Sequence, residues 1–179
     1  MRKLKLDELN RLNLEDYKAA EKLPITVVLD NIRSAFNVGS IFRTCDGLGI
    51  SKIILTGITA RPPHKEINKA AIGATESVDW KYHPDIIEYV TSMVSDKSLI
   101  LGVEQTDNSM MLDKLDLDID GKHIYLLLGN EVEGLSDELL PYLDNAIEIE
   151  QYGTKHSFNV AVCAGMVMWE LSKTMRSFQ

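Results

Sequence analysis

Apolar positions along this chain recur at two spacings, and the alternation between them predicts its elements. Leu4, Leu6, Leu9, Leu12, Leu14 and Tyr17 predict a short amphipathic N-terminal helix. After Pro24, the β-branched run Ile25–Asp30 reads as a buried strand. Val38–Leu48 reads as a helix ended by Gly49, and Lys52–Thr56 as a second strand. Residues 57–65 form a Gly/Pro-punctuated loop. Glu66–Ala71 predicts a short helix, Ser77–Lys81 a short strand, and Pro84–Ser95 a helix with proline in its first turn. Leu99–Val103 and the very apolar His123–Leu128 are strands, Asp137–Leu143 is helical, Ala146–Ile149 is a strand, and Phe158–Met175 is a long closing helix. Strand and helix in alternation predict an α/β fold, a mainly parallel sheet with helices on both faces. Ligands of such sheets sit outside the carboxyl ends of the strands.

The chain has 179 residues, 45% hydrophobic and 26% charged, which predicts one soluble domain over residues 1–179, with residues 1–24 as a helical extension. The longest apolar run, Val160–Trp169, is too short to span a bilayer, and the leucines at the N-terminus are interleaved with charges, so neither a membrane partner nor a secretion signal is expected. Cys45 and Cys163 have no metal spacing, lie in apolar stretches and read as small packed hydrophobes, with a reducing, cytoplasmic setting as the default. His64, His83, His123 and His156 share no metal spacing, and His156 reads as a surface-loop residue. Asp113, Asp116, Asp118 and Asp120 lack the glycine and glutamate of a calcium loop, so no metal is expected. Net charge is -8, unevenly distributed: residues 1–82 carry 13 Lys+Arg against 10 Asp+Glu, residues 83–179 carry 6 against 17. The first half can therefore meet an anion while the second does something else.

Three strand-end loops carry candidate chemistry. In Asn37-Val38-Gly39-Ser40-Ile41-Phe42-Arg43, Asn37 can cap the helix, Gly39 lets a ligand or another backbone approach, and Arg43, six residues on, is expected on the same helix face as Asn37. In Gly129-Asn130-Glu131-Val132-Glu133-Gly134-Leu135, Gly129 ends a strand and Gly134 can take positive φ. In the third, residues 151–159, Ser157 is the expected N-cap of the last helix, whose free N–H groups face an acceptor.

Taken in order, the three loops resemble the motifs of the SpoU/TrmH branch of the SPOUT RNA methyltransferases: Asn37, Gly39 and Arg43 match the first, Gly129, Glu131, Gly134 and Leu135 the second, and Ile149, Ser157, Asn159 and Val160 the third. Glu150-Gln151 and Phe158 depart from the usual Pro-Met and Leu of the third motif, beside the cofactor loop. The resemblance spans about residues 25–175 and implies a SPOUT α/β knot, with a C-terminal trefoil knot and a cofactor-binding part over about residues 95–175. It also implies a homodimer that uses S-adenosylmethionine to methylate a ribose 2′-hydroxyl of tRNA or rRNA. The catalytic positions carried over are Arg43, Asn37, Glu131, Ser157 and Asn159. Those implied to hold the cofactor are Val103, Glu104, Gln105, Leu128, Gly129, Asn130, Gly134, Ile149, Ser157 and Phe158. Guanidinium groups in general stay protonated, so orienting the hydroxyl and stabilising developing negative charge is the conservative role for the arginine.

Given the resemblance, Arg33, Arg43, Arg61, Lys65 and Lys69 are the cations expected toward RNA phosphate, with plain solubility the alternative for Arg61, Lys65 and Lys69. Residues 102–106 and 128–131 are similar to the branch that methylates a guanosine in the tRNA D-loop, which places tRNA ahead of rRNA. A non-catalytic RNA-binding protein with the same fold and an unrelated nucleotide-binding α/β protein remain open at this point.

Overall fold

The computed structural model describes residues 1–95 and 97–177, with the side chains of Leu6 and Asp7 outside that set. Residues 96, 178 and 179 of the expected 1–179 domain thus lie outside the described residues.

The first apolar run forms β1 (Leu23–Asp30), buried at every position but Pro24. Its alternate residues serve opposite faces: Val27 and Leu29 join a core under α2 (Ala35–Leu48), while Val28 joins a second core under α5 (Ile86–Met93). A central strand needs apolar side chains on both faces, hence the continuous run. The remaining strands are β2 (Ile50–Thr56), β3 (Asp79–His83), β4 (Ser98–Val103), β5 (Met110–Met111), β6 (His123–Leu128) and β7 (Asn145–Glu148). They form one sheet in the order β3-β2-β1-β6-β4-β7-β5, with every pairing parallel among the described residues. The expected mainly parallel sheet is thus parallel throughout.

On one face, α2, α3 (Lys65–Ala71) and α6 (Val160–Ser177) cover the sheet. A Cβ on Gly39 would lie 2.5 Å from the Ile67 carbonyl oxygen, so this glycine admits the backbone of α3 and not a ligand. The inward stripe of α6 includes Ala164, Val167, Met168 and Leu171, and Cys45 of α2 packs its sulfur 3.7 Å from that of Met168. Fully burying a side chain the size of Val167, Met168 or Leu171 contributes about 1.5–3 kcal/mol.

Several expected boundaries move. The N-terminal helix is two pieces, a 3-10 turn at Leu6–Leu9 and α1 (Leu14–Ala19), and Leu4, Leu9, Leu12 and Leu14 are exposed. Asn10, in the left-handed region at φ 46°, ends the first piece. The helix over Asp137–Tyr142 is 3-10, with Pro141 inside it. A short helix, α4 (Ala74–Ser77), and the two-residue β5 have no counterpart in the sequence pattern. Cys163, expected to be packed, is only half-buried.

Candidate active site

The sheet order sets the carboxyl ends of β1, β6, β4 and β7 side by side, and the three motif loops leave from three of them. Between the ends of β4, β6 and β7 lies a cleft of about 320 Å³. Val103, Glu104, Gln105, Leu128, Gly129, Asn130, Gly134, Ile149, Ser157 and Phe158 all line it, as do Glu131, Ile147, Glu148, Gln151, His156 and Cys163. Its lower walls are aliphatic ends of strands, and its rim carries carboxylates.

The second loop is folded tightly on itself. Asn130 and Gly134 exchange two backbone hydrogen bonds of 2.9 Å, and Gly134 sits at φ 74°. A Cβ on Gly129 would lie 2.1 Å from the Gly134 carbonyl carbon, so only glycine lets the turn close. The Asn130 side-chain oxygen accepts from the Val132 and Glu133 N–H groups. Glu104 closes the turn from β4, accepting from the Leu135 N–H at 2.8 Å.

Glu131 ties this turn to the first loop. One carboxylate oxygen accepts from the Arg33 N–H (2.8 Å); the other accepts from the Ser34 N–H (3.0 Å) and from the Asn37 side-chain amide (2.9 Å). Burial pushes its pKa up, but the Arg33 N–H, the Asn37 amide and the Ser34 N–H together hold it below the usual glutamate value. The Asn37 side-chain oxygen in turn accepts from the Asn159 amide at 3.1 Å. One hydrogen-bonded chain thus joins all three loops.

Two expected caps are corrected. Ser34, not Asn37, caps α2 with its hydroxyl, and Asn37 lies buried in the first turn. The last helix begins at Val160, so Ser157 stands outside it, and the Asn159 side-chain oxygen accepts from the Ala161 N–H instead. Nor do Asn37 and Arg43 share a face. Six residues turn a helix by about 600°, which leaves the side chains about 120° apart and about 9 Å along the axis. Asn37 is buried, whereas Arg43 is exposed and does not line the cleft of its own chain.

Residues 24–169 match the SpoU rRNA Methylase family. The chain belongs to this family. The tRNA (guanosine(18)-2'-O)-methyltransferase of Thermus thermophilus is 26% identical over 166 residues, covering 93% of this chain and 83% of that protein. The 23S rRNA (guanosine-2'-O-)-methyltransferase RlmB of Neisseria meningitidis is 26% identical over 162 residues, which cover 90% of this chain and 63% of the relative. Among solved structures, the TrmH/SpoU tRNA modifying enzyme of A. aeolicus superposes with a TM-score of 0.80 at 22% identity, covering 92% of this chain and 83% of that one. An AdoMet-bound rRNA methyltransferase from Sinorhizobium meliloti reaches 0.78 at 25% identity, covering 89% of this chain and 60% of that one.

In this SpoU family chain the other four cations expected toward RNA also stand, like Arg43, outside the cleft. The Arg33 side chain is exposed, Lys65 and Lys69 are exposed on α3, and the Arg61 guanidinium lies 4.2 Å over the Tyr82 ring. His156 is exposed as expected, yet it also lines the cleft, and Gln151 holds its carbonyl at 3.3 Å. Gln151 and His156 were legible only as loop residues, because nothing in their spacing says that the loop folds back over the strand ends. No helix among the described residues is long and apolar enough to cross a membrane, and no group of three or more His, Cys, Asp or Glu side chains among them is placed to hold a metal.

Proposed function

We propose that this chain is an S-adenosylmethionine-dependent methyltransferase acting on a ribose 2′-hydroxyl of tRNA or rRNA, with a guanosine in tRNA the favoured target. One observation carries it: the chain Asn159–Asn37–Glu131 gathers three loops far apart in sequence beside one cleft at the carboxyl ends of a parallel sheet. The name of the Thermus thermophilus relative supports the tRNA preference.

The cleft suits the cofactor on chemical grounds. Leu128, Ile147, Ile149 and Phe158 offer apolar walls for an adenine ring, strand-end backbone groups offer hydrogen bonds, and Glu133 and Glu148 offer negative charge to a sulfonium. When bound, that group supplies an already activated methyl, so the protein's task is alignment. Arg43 orients the hydroxyl and stabilises negative charge developing on its oxygen. Ser157, which lines the cleft, and Asn159, held by the Asn37 side chain, position the ribose. Glu131 has both oxygens occupied by donors from the first loop, which suits a positioning residue and not a free base.

We further propose a homodimer. Phe36 on α2 and Val162 and Trp169 on α6 leave apolar surface open to solvent, on the two helices that flank the third loop. Since Arg43 stands outside the cleft of its own chain, it serves the cleft of the second copy. The C-terminal part, from about residue 95, is proposed to form the trefoil knot of the SPOUT fold. Arg33, Arg61, Lys65 and Lys69 are proposed to meet RNA phosphate and to set its register.

Incubation with total RNA and methyl-labelled S-adenosylmethionine, followed by mapping of the labelled nucleotide, tests the assignment. Label on a ribose of tRNA or rRNA is expected. Cofactor and RNA binding without transfer would make the chain a non-catalytic binding protein, and label on a base would overturn the reaction class.

A further inference from the structure

Asn31, which follows β1, takes part in neither the cleft lining nor the chain of hydrogen bonds through Glu131, yet it joins the loops after three strands. It sits in the left-handed region at φ 53°, a conformation that asparagine tolerates better than most side chains. Three of its polar groups reach different partners. The side-chain amide donates to the Asp30 carboxylate at 2.7 Å. The side-chain oxygen accepts from the Ile58 N–H at 3.1 Å, in the loop after β2. The backbone carbonyl accepts from the Asn130 side chain at 2.9 Å, in the turn after β6. Gly57 leaves the room this needs, because a Cβ there would lie 2.0 Å from the Asn31 side-chain oxygen. On the far side, the Tyr82 hydroxyl donates to the Gly57 carbonyl at 3.1 Å, and the Tyr82 ring lies under the Arg61 guanidinium. A continuous set of contacts therefore runs from Arg61 through Tyr82, Gly57 and Ile58 to Asn31, and from there to Asn130, whose side-chain oxygen orders the cleft turn.

We infer that Asn31 is a positioning residue that couples the basic loop 57–65 to the cofactor cleft, so that RNA on the loop and cofactor in the cleft strengthen each other's binding. The inference rests on the methyltransferase reading above. A ligand that holds Arg61 removes freedom from residues 57–61 and hence from Asn31 and Asn130, so less ordering remains for the second ligand. Linkage makes the effect reciprocal.

The test is calorimetric titration of the full chain with S-adenosylhomocysteine, alone and in the presence of saturating total tRNA. In the wild-type chain tRNA tightens the cofactor product by about fivefold or more. Asn31→Gly keeps the left-handed backbone and its carbonyl but removes both side-chain links, and the tightening falls below about twofold. Tyr82→Phe keeps the ring under Arg61, loses only the link to Gly57, and decides the matter should Asn31→Gly fail to fold; its factor falls by at least about half. Equal tightening in wild type and variants, or a wild-type chain that binds both ligands independently, overturns the coupling and leaves the function standing. A wild-type chain that binds neither ligand overturns both.

Discussion

The Asn37 side chain donates to Glu131 at 2.9 Å across 94 residues of sequence, and this bond joins the first loop to the turn that lines the cleft. Because Glu131 also accepts from two backbone N–H groups, its carboxylate holds the entry of α2 in place.

Glu131→Gln replaces one acceptor oxygen by a donor facing N–H groups. At neutral pH the variant is expected to lose about 1–3 kcal/mol of stability, with methyl transfer falling more than cofactor binding. The pH dependence follows from the direction of the shift. The folded carboxylate titrates below its unfolded value of about 4.3, so its stabilisation is full above that value and is lost as pH falls through the lowered folded pKa. Thermal melts from neutral pH down to about 3 should show the gap between wild type and variant narrowing in acid. A gap that stays constant would remove the carboxylate from the account.

Arg43 lies outside the cleft of its own chain, so its loss should spare the cofactor. Arg43→Ala is expected to lower methyl transfer by about 100-fold or more, with cofactor affinity within about twofold of wild type. Loss of cofactor binding in titration would assign this guanidinium a different task.

Gly129 has backbone where its side chain would go. Gly129→Ala must push the turn open, at a cost of about 1–3 kcal/mol, and cofactor affinity should fall by about tenfold or more. Denaturant unfolding and titration check the two halves separately; an unchanged affinity would show that the turn does not hold the cofactor.

Trp169 is among the largest exposed apolar side chains on α6. Light scattering at micromolar concentration is expected to give the mass of two chains for wild type and of one chain for Trp169→Glu. Mixing an Arg43→Ala chain with one carrying a broken cleft, such as Gly129→Ala, should restore part of the activity, because each mixed dimer then holds one intact pairing. A monomeric wild type would refute the arrangement.

Much of the fold was legible locally. His123–Leu128 appears in the structure with the bounds expected from its apolar run, since a central strand packs apolar side chains on both faces and so leaves a continuous run in the sequence. Elements that depend on partners were not legible. Met110–Met111 is a strand only because β7 lies beside it, and α6 starts at Val160 because Asn159, held by Asn37, turns the chain there.

Taken alone, the order of residues determined the parallel α/β class and the three strand-end loops, because periodicity and glycine placement act over a few positions, while the residues around the cleft came from the resemblance of those loops to the SpoU/TrmH motifs. Tertiary structure alone decided that Asn37 and Glu131 bond, that Asn37 and Arg43 face apart, and that Asn31 stands between the loops after β2 and β6. Those facts depend on the strand order, which sets β1 next to β6, and on the turn of a helix between two positions, and neither is written in the spacing of residue types.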